Sequence, residues 1–562
     1  MSTIMKKYIR STAIKAAATT LIVGLMSTAC SDKFLDKQPL DQLSTATFWK
    51  TERDANLALT GVYFVEGFEV ANANGAKQAY SFWNQDTHLR VFEATTDNGF
   101  EKDDNVTDFN NGDMNPSITV VRDLWKSAYV KIAKCNNFLA NIDNVEMDEA
   151  KKEIMKAEVR MIRAHDYFYL TFYWGDVPLI KDVLSVDEAN NVTRDPRATV
   201  VDFVLTELSE AAAVLPSTRP AAERGRMTKG AALAILGRVQ MWQQMWPEAK
   251  ATYKAIMDLG IYSIDSRWKE LFEDDGEESN EVVMTSVRMP DIYGTSMPLS
   301  AIGFTWSGYH HWSPYNELVE SFECIDGKPI DESPLYNVDD PYKNRDPRLL
   351  MTILVNGVSK FRNILFVSHP DSSATKYPDQ VTRRPWSGYI LNKFCDEDYT
   401  GNLRAYGGDF VMVRYAEVLL SYLEACIESN TAIDQNLLDA TINKIRQRAS
   451  VNMPKVVETD PAKLTTVLRR ERRVELAWEG LRLYDLFRWR TAHIVLRGKV
   501  YGMKITTKAQ APTYTKFKVN ENGYYFCEET FFREAVDYLW PIPQSERDVN
   551  PKLTQNPGYS GG

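Results

Sequence analysis

Residues 228–258 read TKGAALAILGRVQMWQQMWPEAKATYKAIMD. Two helical stretches, 228–245 and 247–258, stand on either side of a short break, with Leu236, Gly237, Ala249 and Tyr253 at the places where small residues let two helices close on each other. The same period recurs outward from this hairpin. Ile154, Ala157, Met161, Ala164, Phe168 and Phe172 follow gaps of three and four, as do Val411, Tyr415, Val418, Tyr422 and Ala425, and the set Leu464, Val467, Val474, Trp478 and Leu481. Further helices are expected over 52–64, 121–142, 199–214 and 435–449. Asp460-Pro461 supplies an N-cap and a first-turn proline, and Thr51 with Asp54 makes a capping box in which Asp replaces the usual Glu. Strand patterns are few, the best being 281–287 and 524–526.

The spacing of Leu236, Gly237, Ala249 and Tyr253 is that of the tetratricopeptide repeat, with Gln240 in place of an expected aromatic. Helix pairs of similar length elsewhere suggest degenerate copies stacked into a superhelix. Residues 261–400 differ: they are rich in Gly, Pro, Asp and aromatics and lack long helical periods. An irregular segment of that length is usually functional.

The 562 residues are 44% hydrophobic, 25% charged and 11% aromatic, which excludes a disordered chain, a collagen-like chain and a polytopic membrane protein. Net charge is −10, although residues 1–29 carry Lys6, Lys7, Arg10 and Lys15 and no acid. The body is therefore more acidic than the whole, which argues against a nucleic-acid partner. Cys30, Cys135, Cys324, Cys395, Cys426 and Cys527 include no CxxC pair, so neither a zinc ribbon nor a disulfide scaffold is expected. Cys135 and Cys426 sit among apolar helical neighbours and read as small core residues.

The N-terminus reads as an export signal. A basic start precedes an apolar run from Ala16 to Met26, about half the length of a spanning helix. Ser27-Thr28-Ala29-Cys30 resembles a bacterial lipoprotein box with Ser27 where Leu or Val is usual; the alternative is an ordinary signal peptide. On the first reading residues 1–29 are removed and Cys30 carries acyl chains, of which two or more anchor stably.

No motif for enzyme chemistry is present. His88, His165, His310, His311, His369 and His493 form no metal-site spacing, and no GxSxG, P-loop or GxGxxG occurs. Glu471, Glu475 and Glu479 interleave with Arg472, Arg473 and Arg482. A glycosidase would need two of these acids facing a cleft; ion pairing along and beneath a helix is the structural reading.

Many segments together resemble the SusD/RagB family of surface lipoproteins of Bacteroidota. They include Phe34-Leu35-Asp36 after Cys30, Phe48-Trp49-Lys50-Thr51-Glu52, and Tyr173-Trp174-Gly175-Asp176-Val177-Pro178. In the second half they are Asn344-Arg345-Asp346-Pro347-Arg348, Arg414-Tyr415-Ala416-Glu417-Val418, Glu471-Arg472-Arg473, Trp540-Pro541-Ile542-Pro543 and Asn556-Pro557-Gly558-Tyr559. The resemblance implies a mainly α fold, a superhelix of four tetratricopeptide-like helix pairs with a large irregular, loop-rich ligand-binding part. The mature chain 30–562 is then one domain, its scaffold mainly in 45–260 and 405–492 and its ligand-binding insertion at about 261–400. The implied activity is capture of oligosaccharides, or in some members peptides, for a SusC-like TonB-dependent transporter. No catalysis, cofactor or metal is implied. The chain would sit on the outer membrane by its lipid alone and face the cell surface, although Lys33 follows Asp32 where exported members often carry several acids. A lipid-anchored polysaccharide hydrolase is the competing class.

The family's ligand contacts lie in variable loops, so the resemblance carries no contact residue over. Composition points to residues 303–315, with five Phe, Trp or Tyr in thirteen positions and glycines and a proline that forbid a regular helix. Indole and phenol rings can cover the C–H face of a sugar, at roughly 1.2 kcal/mol per ~50 Å² covered. The expected contacts are Trp306, Tyr309 and Trp312, with Trp83 nearby, Asp97 and Asn98 bonding hydroxyls, and Trp386 in reserve; His310-His311 read as surface polar groups. The anchor is separately testable. Cys30→Ala should move the protein from the membrane to the soluble fraction of lysed cells, and unchanged retention would refute lipidation.

Overall fold

The computed structural model describes residues 48–64, 80–101, 106–382 and 386–560; the leader and Cys30 lie outside them. Two structural units are distinguished. One takes in residues 48–57 with Asn144–Met147, the other Ala58–Asp143 with the chain from Asp148 onward. In the first, Thr51 bridges Glu146 in parallel. The Asp54 carboxylate accepts the Thr51 amide at 2.8 Å and the Thr51 hydroxyl at 2.9 Å, the expected capping box at the start of α1 (Glu52–Tyr63).

The second unit is a series of helices, each packed on the one before: α2 (Thr119–Asn141), α3 (Glu149–Trp174), α4 (Arg197–Val214), α5 (Lys229–Trp242), α6 (Trp246–Asp258), α7 (Tyr415–Glu428) and α8 (Pro461–Glu475). Local chemistry sets their ends. Asp148 accepts the Lys151 amide at 2.9 Å, Thr228 that of Ala231 at 3.2 Å and Asp460 that of Lys463 at 3.0 Å, each satisfying a donor the helix leaves open. A Cβ on Gly237 would lie 2.5 Å from the Tyr253 ring, so α5 and α6 close only because that residue is glycine. This is the tetratricopeptide-like architecture, mainly α, that the hairpin at 228–258 leads one to expect.

Four expectations need correction. Val411 belongs to a strand, β4 (Phe410–Arg414), which pairs antiparallel with β2 (Val282–Ser286); α7 begins at Tyr415 because Arg414 is extended. The 464–481 pattern ends at Glu475, and Trp478 and Gly480 have φ of 63° and 82°. The carbonyls released there are taken up from elsewhere in the chain: Arg414 Nη2 donates to Glu475 O at 2.7 Å and Lys393 Nζ to Ala477 O at 2.9 Å. The 435–449 helix is two helices, Gln435–Ala440 and Ile442–Arg446, broken at Thr441, whose hydroxyl bonds back to Leu437 O at 2.6 Å. Residues 524–526 start a longer strand, β6 (Tyr524–Thr530), paired with β5 (Gly498–Lys504), which the sequence pattern does not announce.

Residues 261–400 contain short helical turns and strands of two to five residues. They are not thinly packed, since Trp268, Trp306, Trp312, Phe361, Phe366 and Tyr389 are buried in one apolar cluster. Beneath it runs a network of charges. Arg414 pairs with Glu281 (2.8 Å), Glu475 (2.7 Å) and Glu479 (2.7 Å). Arg348 pairs with Asp346, Glu471 and Glu475, and Arg448 with Glu281 and Glu475. Arg446 bridges Glu471 to Glu323, and Lys393 holds Glu479. The Trp268 ring lies within 4.6 Å of Lys393 and 5.3 Å of Arg414, a cation–π floor for the network. Glu471, Glu475 and Glu479 are thus buried and paired, Glu471 with arginines as expected, but the partners come from other segments; the interleaved Arg472 pairs with Asp485, and Arg473 and Arg482 with Asp97. Cys135 and Cys426 are buried thiols. No helix among the described residues is long and apolar enough to cross a membrane.

Removing one member of such a network leaves buried charge uncompensated, at a cost of about 3–5 kcal/mol. Arg414→Ala should therefore lose about that much stability in denaturant unfolding, or fail to fold, and a loss below ~1 kcal/mol would refute the central role. Burial alone would raise the Glu475 carboxyl, but Arg414, Arg448 and Arg348 outweigh it and hold it at about 2, against 4.5 for a free group. Glu424 is likewise held at about 2, chiefly by Arg488 against the effect of burial. Depressed carboxyls contribute stability that is complete above the unfolded value and lost as pH falls through the folded one. Unfolding free energy should therefore drop steeply between about pH 4.5 and 2, and a flat acid limb would contradict the pairing.

Candidate functional site

The segment 303–315 is a loop pinned from below. Strand β3 (Trp312–Pro314) pairs antiparallel with β1 (Gly99–Glu101), Glu101 opposite Trp312. The Asp379 carboxylate accepts the amides of Phe304 at 2.8 Å and Thr305 at 2.9 Å and the Thr305 hydroxyl at 2.6 Å. A Cβ on Gly303 would fall 2.6 Å from that carboxylate, which accounts for the glycine. Burial would raise the Asp379 carboxyl, yet His310 and Thr305 hold it below its ordinary value. His310 Nε2 lies 3.0 Å from Tyr389 O. Ser307 and His310 have φ of 64° and 50°, backbone that costs about 1–3 kcal/mol per residue and persists where its surroundings over-determine it.

That anchoring takes in most of the expected contact residues. Trp306 donates its indole N–H to Phe361 O at 3.1 Å and packs edge-on against the Phe361 ring. Trp312 is fully buried. Trp386 is buried between Phe304, 5.3 Å away and nearly parallel, and His310 at 4.4 Å. Trp83 donates to the Asp166 carboxylate at 2.9 Å and lies 4.3 Å from His165. None of these indoles presents an open face. Asp97 receives Arg482 Nε at 2.7 Å and Arg473 Nη2 at 3.0 Å; burial would raise its carboxyl, but the two arginines hold it at about 2. Asn98 donates to Glu93 at 2.8 Å and accepts from Arg473 at 2.9 Å. The physical reason is common to all: each finds its partner far along the chain, so what reads locally as an aromatic and polar loop is core. His310 is likewise buried rather than on the surface.

Tyr309 is the exception. Half-buried at the tip of the loop, it stacks on the His311 ring at 5.4 Å and 19°, and the Arg404 guanidinium stands 5.8 Å from its centroid. His311 Nδ1 is 3.4 Å from Arg90 Nη2. Arg90 is itself fixed by Asp86 and Glu101, both at 2.6 Å.

A hairpin turn flanks this tip. Asp291, at φ 60°, donates its amide to Ala405 O at 3.1 Å and accepts from Asn402 Nδ2 at 3.2 Å. The same turn exposes Met289 and Ile292 and seats Tyr293 between the Arg288 guanidinium (5.1 Å) and the exposed Phe64 ring (5.5 Å). Two partly exposed aromatic pairs result, Tyr309 on His311 with Arg404 beside it and Tyr293 on Phe64, the second on a turn tied to the 402–405 segment by Asn402 and Ala405. Phe64 and Tyr293 were missed from the sequence, where the signal was Met289-Pro290-Asp291-Ile292-Tyr293, a turn dipeptide flanked by apolar residues that a turn cannot bury.

The chain matches the family model described as the SusD family over residues 285–559 and the one described as starch-binding associating with outer membrane over residues 33–241. A solved SusD-like carbohydrate-binding protein of Bacteroides fragilis is 36% identical, covers 90% of this chain and 100% of its own, and superposes with a TM-score of 0.83. A second SusD-like protein from the same species is 25% identical, covers 93% of this chain and 100% of its own, with a TM-score of 0.75. SusD-like protein P25 of Formosa agariphila is 25% identical over 94% of this chain and 96% of its own length. A 36% identity sustained along the whole of a solved relative, on the same helix-pair scaffold, makes this chain a member of the SusD family.

Proposed function

We propose that this protein captures oligosaccharides at the outer membrane, anchored by acyl chains on Cys30 and exposed at the cell surface. It passes them unaltered to a SusC-like TonB-dependent transporter. The observation that carries the reading is the half-exposed Tyr309–His311 stack on a loop bolted to the core by Asp379. A ring pair offered to solvent on a rigid base loses little conformational freedom when a sugar covers it. The solved relative described as carbohydrate binding supports the ligand class, and the outer-membrane description of the second family model supports the location. Family membership supports the delivery step, and confinement of both partners to one membrane would raise their effective concentration. Trp306 and Trp312 serve as fixings of the loop, while Asp97 and Asn98 tie α8 and the turn after it to β1.

Tyr309→Ala with His311→Ala should fold, by circular dichroism, and lose about tenfold or more in affinity for the best ligand of a polysaccharide panel in calorimetry. Tenfold is about 1.4 kcal/mol, between the ~1.2 kcal/mol expected for one covered ring and the ~2.4 kcal/mol for two. Undiminished affinity would remove the site from this loop. The same panel should yield no new reducing ends; enzyme-dependent release surviving repurification would favour the hydrolase.

A further inference from the structure

Away from the Tyr309 loop, a cavity of about 450 Å³ opens between α3, the α5 end and residues 534–539, within the size range of small-ligand sites. Two guanidinium groups border it. Arg197, at the first position of α4, lies 4.2 Å from the centroid of the Trp242 ring, and Arg490 lies 3.6 Å from that of Tyr538. Arg490 is held at φ 56°, in the left-handed region that non-glycine residues seldom occupy. Among the described residues neither makes an ion pair. The contrast is Arg488 in the cavity wall, which is bound by Glu424 at 2.6 Å and Asp485 at 2.9 Å.

The nearby acids have other partners. Glu534 stands at the cavity's exposed rim, 3.5 Å from His493 Nε2, and Asp176 accepts the backbone amide of Arg197 at 2.8 Å. Burial lowers the Arg197 pKa; Asp176 opposes that effect and the neighbouring Arg490 adds to it. An anion between the two guanidinium groups relieves that repulsion.

We propose that this cavity binds the carboxylate of an acidic sugar, a uronate, between Arg197 and Arg490. A guanidinium lying on an aromatic face keeps its N–H edge in plane for a two-pronged grip on a carboxylate. The Gln244 side chain and the Tyr538 hydroxyl, which lies 2.8 Å from His493 Nδ1, line the same cavity as polar groups for sugar hydroxyls. Phe172 and Leu539 line it with apolar surface for the C–H face. The ligand is therefore a small carboxylated ring with hydroxyl groups rather than a bare ion. This site shares no residue with the Tyr309 surface and stands or falls separately from it.

Calorimetry on the full chain at constant ionic strength, with glucuronate, galacturonate, glucose and sodium sulfate as probes, decides the matter. At least one uronate should bind ten times or more tightly than glucose and than sulfate. Arg490→Gln and Arg197→Gln should each weaken it by about tenfold or more, Arg490→Lys by less, and Tyr309→Ala with His311→Ala should leave it unchanged. Arg490 is exposed, so its variants test the site even if Arg197→Gln does not fold. The proposal is overturned if neither uronate outbinds glucose, or if sulfate binds equally tightly. It is also overturned if uronate binding survives Arg490→Gln undiminished, whether or not the Tyr309 and His311 substitutions remove it.

Discussion

Arg414 ties the loop-rich part to the C-terminal helices. It ends strand β4 immediately before α7, and reaches Glu281 in the loop-rich part, Glu475 at the end of α8 and Glu479 in the turn after it. A buried charge is costly unless every lone pair and proton around it is engaged, so each contact specifies the next. Glu475 must also receive Arg348 and Arg448, and Glu479 must receive Lys393. Tetratricopeptide-like helices pack through small residues such as Gly237, which tolerates one neighbour and one distance. The charge network performs the corresponding service for segments with no helical period to align them.

The same logic explains the candidate site. A loop rich in glycine and aromatics would wander if left to itself. Here Asp379 holds three donors of residues 304–305, Trp306 reaches Phe361, and β3 lies along β1. The cost of ordering is borne in folding rather than in binding. What the loop leaves exposed is small and preformed: Tyr309 over His311, near the turn that carries Tyr293.

Periodicity made α2 through α6 and α8 legible, and capping residues placed the starts of α1 and α8 to within a residue or two. It failed where a distant partner overrode a local pattern. Val411 looks helical until Glu281 and its strand claim Arg414. Trp478 continues an apolar stripe, yet α8 has already ended because Lys393, more than eighty residues earlier, satisfies the carbonyls there. Asp97 looks like a loop hydrogen-bonder, and its arginines lie at 473 and 482. The aromatic richness of 303–315 was visible. That Trp306 and Trp312 face inward and only Tyr309 outward was not, because Asp379 and the Phe361 carbonyl carry no sequence mark that ties them to that loop.

The interleaving of the charges has a bearing on how such chains can be recombined. Glu281, Glu323, Asp346, Arg348 and Lys393 come from the loop-rich part, and Arg414, Arg446, Arg448, Glu471, Glu475 and Glu479 from the C-terminal portion of the chain. A crossover anywhere between residues 281 and 479 parts at least one buried cation from its carboxylate. The loop-rich part is accordingly no cassette to be exchanged whole between relatives. What can be exchanged without that penalty are the exposed tips, such as 289–293 and 307–309, whose supports stay behind. Variation in this architecture is therefore least costly a few residues at a time at the tips, while the frame beneath changes only as one piece.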